Sequence, residues 1–199
     1  MYEGVDTVVL HNELAYEDVL PVGWRPLAKS PDLATVTMLT ERNVRTLHVC
    51  ATIEEQGPVE KAEEKSMHST DLLRLEVKMN LVLELMGQLL AAQQPRPVPT
   101  PVRFNALGAM WQSVSPPRNG EQGFLDIYLR ECLAQPLTLI ANVTQVTPEG
   151  KVRVTFTPPG EATADLIEKL AFRRHRRHVA GVRQPRRSPG ETGITRILG

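Results

Sequence analysis

Residues 95–101 read Pro-Arg-Pro-Val-Pro-Thr-Pro, four prolines in seven positions. Each proline fixes φ and removes a backbone donor, and each residue before a proline is pushed toward extended geometry. No helix runs through such a stretch, so 95–101 is expected to be a stiff, extended spacer. The sequence changes character across it. Residues 31–94 carry apolar side chains at helical spacing, whereas 102–157 alternate in short runs broken by turn residues, and a last helix follows. With 41% hydrophobic and 23% charged residues in 199 positions, the chain can bury a core. Wholly disordered and collagen-like chains are excluded. Two cysteines, Cys50 and Cys132, argue against a disulfide scaffold or a cysteine-ligated zinc. The first residues lack the basic patch and apolar run of a secretion signal, and no stretch reaches about 18 apolar residues. A cytoplasmic chain without membrane insertion is the expectation.

The first helix is expected to start at Ser30-Pro31, serine as cap and proline in the first turn. Leu33, Val36, Val44, Leu47 and Ala51 form its apolar stripe. Gly57-Pro58 interrupts the pattern, and a second helix can begin there. Within that helix Leu72, Leu75, Met79, Val82, Met86 and Leu89 are spaced 3, 4, 3, 4, 3, the seam of a heptad repeat. The flanking positions are charged at the start (Asp71, Glu76, Lys78) and apolar later (Leu83, Leu85, Leu90). Periodicity alone leaves two readings open, a helix packed on its own domain and a helix that self-associates. The proline run, which separates this helix from the β region, favours self-association. The apolar flanks favour a higher-order bundle, a tetramer over a dimer.

The β region is expected at Val102–Ser113, Gly123–Arg130, Leu137–Thr147 and Lys151–Thr157, the last two joined by Pro148-Glu149-Gly150. Strands of this length suggest a small sandwich or barrel. A closing helix spans about Thr163 to Val182, with acids near its start and arginines near its end, which suits the helix dipole. From Arg173 onward there are eight arginines against one acid, so a formally neutral chain carries +7 on its last 27 residues and −7 on the rest. Beyond 182 the composition predicts a mobile basic tail.

Enzyme chemistry finds no foothold. There is no Gly-rich phosphate loop, no G-x-S-x-G and no H-E-x-x-H. Cys132 has no histidine near it in sequence and reads as a small buried thiol. The cluster Arg173, Arg174, Arg176 and Arg177 admits three readings. It complements the dipole and aids solubility, or binds nucleic acid, or docks an acidic surface or a phosphorylated small molecule. Nucleic acid is disfavoured because only Phe172 supplies an aromatic nearby.

The stretch Val102-Arg103-Phe104-Asn105-Ala106-Leu107-Gly108-Ala109-Met110-Trp111 resembles the strand-turn-strand around the (D/N)-x-S-x-x-G signature of PilZ domains, bacterial cyclic di-GMP sensors. The closing helix Leu166–Arg177 is similar to theirs, and the heptad helix resembles that of atypical members, which are expected to oligomerise through it. The resemblance covers about residues 98–182. It implies an α+β fold: a six-stranded antiparallel barrel with a C-terminal helix over 102–182, and N-terminal helices over 31–94 forming an oligomerisation bundle. Residues 1–30 then pack on the barrel or cap the helices. With Gly108 on the signature glycine, Arg103 falls where Asp or Asn belongs and Asn105 where Ser belongs. The family's R-x-x-x-R should precede the barrel, yet residues 90–101 hold only Arg96. Losing two charged contacts to a bis-phosphate would cost roughly 1.5–3 kcal/mol each.

The resemblance therefore implies a non-catalytic, homo-oligomeric adaptor for a bacterial signalling or pilus-related protein, in cyclic di-GMP-linked motility or virulence. It would need no cofactor and bind cyclic di-GMP weakly or not at all. The candidate ligand residues are Arg103, Asn105, Gly108, Arg173, Arg177 and Arg183. One alternative is a cyclic di-GMP receptor using the C-terminal arginines, and another is a nucleic-acid-binding protein.

Overall fold

The structure, a computed structural model, describes residues 9–55, 96–131 and 133–182, together with positions 72, 74, 75, 77–79, 81, 82 and 85–89. The segment from Val102 to Phe156 folds as the alternation requires. Strands β4 (Pro99–Phe104), β5 (Gly108–Gln112), β6 (Gln122–Ile127), β7 (Leu137–Val146) and β8 (Lys151–Phe156) are antiparallel. Their alternate side chains, among them Val102, Phe104, Trp111, Leu125, Ile127, Leu139 and Val154, are almost wholly buried. The β7–β8 turn falls at the Pro-Glu-Gly signal. Gly150 takes φ 81°, and a side chain there would strike the Ser113 carbonyl oxygen at 2.5 Å.

Five strands leave two open edges, and the sixth strand comes from the N-terminal segment. Strand β3 (Tyr16–Pro26) pairs with β4 through Tyr16–Pro21 and with β6 through Val22–Pro26. The barrel closes in the order β3-β4-β5-β8-β7-β6. Before it, β1 (Val9–Leu10) and β2 (Glu13–Leu14) form a small hairpin whose turn residues His11 and Asn12 both have positive φ, 53° and 63°.

The proline run differs from its expected role as a spacer. Strand β4 begins inside it, at Pro99, where Pro99 and Pro101 lie opposite Pro21 and Val19. β5 pairs with β4 only from Val102 onward, so the prolines occupy a stretch with a ladder partner on one side alone. There a missing N–H costs nothing and the fixed φ suits an extended chain.

Helix α1 (Leu33–Glu55) also departs from expectation. Its cap is Asp32, whose Oδ1 accepts the Thr35 amide at 2.9 Å, rather than Ser30. Asp32 lies just before the first helical residue, and the Thr35 hydroxyl and amide hold its carboxyl below the ordinary carboxylate range. Nor does α1 stand apart with the heptad segment. Leu39, Asn43, Thr46, Leu47 and Cys50 are buried, Leu33 is exposed, and Leu47 and Cys50 join the barrel core. The amide of Asn43 fixes the dock. β8 reaches β7 only from Ala141, leaving Thr138 without a strand partner on that side. Asn43 Nδ2 donates to the Thr138 carbonyl at 2.7 Å, and the Thr138 amide donates to Asn43 Oδ1 at 3.0 Å. The Thr138 hydroxyl donates to Asp126 Oδ1 at 2.6 Å, and Arg25 Nε donates to Asp126 Oδ2 at the same distance.

Helix α2 (Glu161–Val182) closes one end of the barrel with Thr163, Ile167, Leu170 and Ala171. Arg174 continues that face, reaching Asp18 Oδ2 at 3.0 Å and lying 5.7 Å over the Tyr16 ring. Tyr16 donates its hydroxyl to the same Asp18 oxygen at 3.1 Å, and its ring meets Phe104 across the strands at 5.2 Å. Burial, reinforced by the Asp18 charge and opposed by Arg174 and Arg130, pushes the Tyr16 phenol up to about 12.

Two outcomes are expected. Asn43→Ala leaves two buried backbone groups of Thr138 unpaired and lowers urea-unfolding stability by about 2–4 kcal/mol. Below pH 10 Tyr16 is protonated in both states and its contribution is complete. Between pH 10 and about 12 only the unfolded chain loses the proton, so stability falls as pH rises. Measured across that window, Tyr16→Phe should show a shallower loss of urea midpoint than the native chain.

Candidate ligand-binding site

The sequence places a signature turn between β4 and β5, and the structure shows what that turn does with its polar atoms. Asn105 is buried, its Oδ1 accepting the Leu107 amide at 2.9 Å and the Gly108 amide at 3.2 Å. Its Nδ2 donates to the Leu10 carbonyl at 2.6 Å. The side chain therefore folds the turn on itself and latches it to the β1–β2 hairpin. Gly108 is required by close approach, since a Cβ there would stand 2.2 Å from the Val154 carbonyl oxygen and 2.8 Å from His11 Nε2. His11 Nε2 is itself buried and makes no hydrogen bond.

Arg103, two residues upstream, lies across from Glu17 on β3, with Nη2 at 3.0 Å from Glu17 Oε1. Both side chains are partly solvated, so the pair contributes little to stability. It does hold the guanidinium against the strand surface.

The C-terminal arginines occupy a different face. Arg173 is half-buried and Arg177 exposed, and Arg183 lies outside the described residues, as do Cys132 and the tail to 199. Arg173 lines an open groove of about 720 Å³ between β2 and α2, with Glu13, Leu14, Lys169, Phe172 and Arg176. No residue of the signature turn lines it. The hairpin is what joins the two places, with Leu10 bound to Asn105 on one side and Glu13 and Leu14 forming the groove wall on the other. Phe172 is 53% exposed and the Arg176 guanidinium lies 6.0 Å from its ring. Two roles here escaped sequence reasoning, the inward turn of Arg174 to Asp18 and the part played by Leu10. Arg174 differs from its neighbours only by helical phase with Ile167 and Leu170, and Leu10 acts through its backbone, which no residue type reveals.

A second cleft, about 580 Å³, opens near the other end of the barrel and is lined by Val22, Trp111, Val98, Val114 and several prolines, with Glu149 as its one charged side chain. A cation-free lining does not suit an anionic ligand. Among the described residues no cluster of three His, Cys, Asp or Glu side chains could hold a metal, and no helix is long and apolar enough to cross a membrane.

The heptad positions are helical where described, and Leu72, Leu75, Met79, Val82, Met86 and Leu89 are 49–66% exposed in the single chain.

Comparison with known proteins agrees with this architecture. No curated protein matches the chain. Among solved structures it is similar to a pathogenic protein from Xanthomonas campestris, described as a new tetrameric PilZ domain self-assembled via an unusual helical bundle. The TM-score is 0.68 and the identity 24%, over 86% of this chain and 93% of that one. The family model described as "atypical PilZ domain, cyclic di-GMP receptor" matches residues 47–184, well over half of the sequence. The chain belongs to the atypical PilZ family.

Proposed function

We propose that this protein is a non-catalytic, cytoplasmic PilZ adaptor that self-assembles through its heptad face. It acts by protein–protein contact in cyclic di-GMP-linked behaviour such as motility or virulence, and binds cyclic di-GMP weakly or not at all. The observation that carries the proposal is the exposed seam from Leu72 to Leu89. Six large apolar side chains on one helical face, each about half exposed or more, leave contiguous apolar surface that a second helix would remove from water. Of the apolar side chains that flank the seam, Leu85 is described and is also half exposed, which favours a tetramer over a two-stranded coil.

Weak ligand binding is supported by the signature turn. Asn105 has both ends of its amide engaged by the chain itself, and Arg103 faces Glu17. A nucleotide at that turn would first have to displace the hairpin. A polyanion is disfavoured at α2, because Arg174 is directed inward to Asp18 and carboxylates share the groove with the remaining cations. The receptor reading keeps one supporting observation, the meeting of guanidinium groups and an exposed aromatic ring at Phe172.

Sedimentation of the native 22.2 kDa chain should give a multiple of its mass, four protomers on the preferred reading. Met79→Glu/Met86→Glu should run as the protomer with its circular dichroism retained. A double variant with unchanged mass would remove the assembly from the proposal. Calorimetric titration with cyclic di-GMP should give a dissociation constant well above micromolar, and a low-micromolar value would make the protein a receptor in its own right.

A further inference from the structure

We propose that the cleft where β4 and β5 part is a docking site for an apolar chain segment bearing one cation, and that its occupant is this chain's own segment 193–199. Neither self-assembly nor nucleotide binding is needed for it. The two strands pair only from Val102 and Trp111. Before that point β4 runs through prolines, and past it the chain after β5 follows the β7–β8 turn, the Ser113 amide donating to the Gly150 carbonyl at 2.9 Å. The Thr100 hydroxyl still reaches the Gln112 carbonyl at 2.9 Å, and the wall there opens into about 580 Å³. Buried Trp111 and Val22 line this opening, while Val98 is 84% exposed and Val114 wholly so. Four prolines share the lining, and proline has no side-chain freedom to lose on burial. Apolar side chains this exposed, clustered at a concave place, mark a contact surface.

The chemistry of the lining selects the occupant. Glu149 is the one charged side chain among the described lining residues, and its hydrogen bond with Thr147 holds its carboxyl below the ordinary carboxylate range. The matching segment carries apolar side chains around a single cation and no acid. Of the longer segments outside the described residues, 1–8 and 56–71 contain acids, and 90–95 carry no charge. Residues 193–199 read Gly-Ile-Thr-Arg-Ile-Leu-Gly, with Arg196 between Ile194 and Ile197-Leu198. The ten residues before them, 183–192, hold three arginines, two prolines and a glycine but no large apolar side chain, the composition of a tether. Extended, ten residues span at most about 36 Å. A six-residue strand such as β4 is about 20 Å long. A chain leaving α2, which closes the opposite end, therefore has the length to return along the barrel to the cleft. While seated, the segment keeps Val98 and Val114 from other chains, so a partner using this surface has to displace it.

The test compares the full-length chain with Ile197→Asp/Leu198→Asp, through the amide signals of Ser113, Val114 and Gly150 and the indole signal of Trp111. These should shift in the variant, while the amides of Lys169 and Phe172, on α2, hold still. Cleft signals that coincide in the two chains would overturn the proposal. Arg196→Glu should reproduce the shift, and Arg196→Glu/Glu149→Arg should return the signals toward their native positions. A reversed pair that recovers nothing would overturn the match between Arg196 and Glu149. Added to the Ile197→Asp/Leu198→Asp chain, the peptide Gly-Ile-Thr-Arg-Ile-Leu-Gly should restore the native signals. Glu149→Arg in that chain should weaken the titration about twofold to fivefold, the range of an exposed ion pair. A peptide that binds although native and variant signals coincide would make the cleft a site for another protein's segment and not for this one. The difference between native and variant should persist in the Met79→Glu/Met86→Glu background. Its loss there would assign the segment to a neighbouring copy and overturn folding back within one chain.

Discussion

Closure of the sheet by β3 is the constraint on which the rest depends. One strand of eleven residues gives its first half to β4 and its second half to β6, and Pro21 and Val22 mark the handover. Without it, β4 and β6 would each expose a row of unpaired backbone groups, an invitation to pair with another chain. The same strand sets the position of α2, since Tyr16 and Asp18 lie on its first half and receive Arg174. It also carries Trp24, which stacks on Trp111 at 6.2 Å. Aromatic contacts thus involve both halves of a single strand.

Two buried asparagines solve the same problem in different places. Asn43 acts as a substitute strand for Thr138 where β8 falls short, and Asn105 completes a turn while holding the Leu10 carbonyl. In each case an amide, with both donor and acceptor at its tip, bonds backbone donors and acceptors directly. Each also attaches a segment from outside the β4–β8 run. α1 is joined by the first and the N-terminal hairpin by the second.

Much of the barrel was legible because period-2 alternation survives in Leu125, Ile127 and in Val152, Val154, Phe156, whose burial is uniform on one face. The closing helix and the Pro-Glu-Gly turn were legible for similar reasons. β3 was not, since Tyr16–Pro26 contains two prolines and a glycine and reads locally as a loop. Its pairing is decided by strands about a hundred residues away in sequence. The proline run misled in the opposite direction, because proline's incompatibility with helix says nothing against an edge-like strand. α1 hid its buried face by placing Asn43 and Thr46 on it, so the apolar stripe at 33, 36, 44, 47 and 51 was drawn partly on the wrong side. At the candidate site, the resemblance located Asn105 and Gly108, but the occupant of the turn is a backbone carbonyl far upstream. The groove left one trace, Phe172 among arginines. Its opposite wall could not be found without the fold.

The chain between β3 and β4, which holds α1 and the heptad positions, departs from and returns to adjacent strands of one antiparallel pair. In topological terms it is an enlarged hairpin loop, anchored at both ends by the barrel. Closing such a loop costs entropy that grows only with the logarithm of its length, about 0.6 kcal/mol for each doubling. The excursion can therefore change in size over evolution at small thermodynamic expense, provided Pro26 and Pro99 keep their places. The kinetic cost is larger. β4 to β8 assemble through near neighbours, while β3 must find partners across the whole insertion. Until it does, the nascent barrel has two bare edges, and that interval is the period of greatest exposure to misassembly.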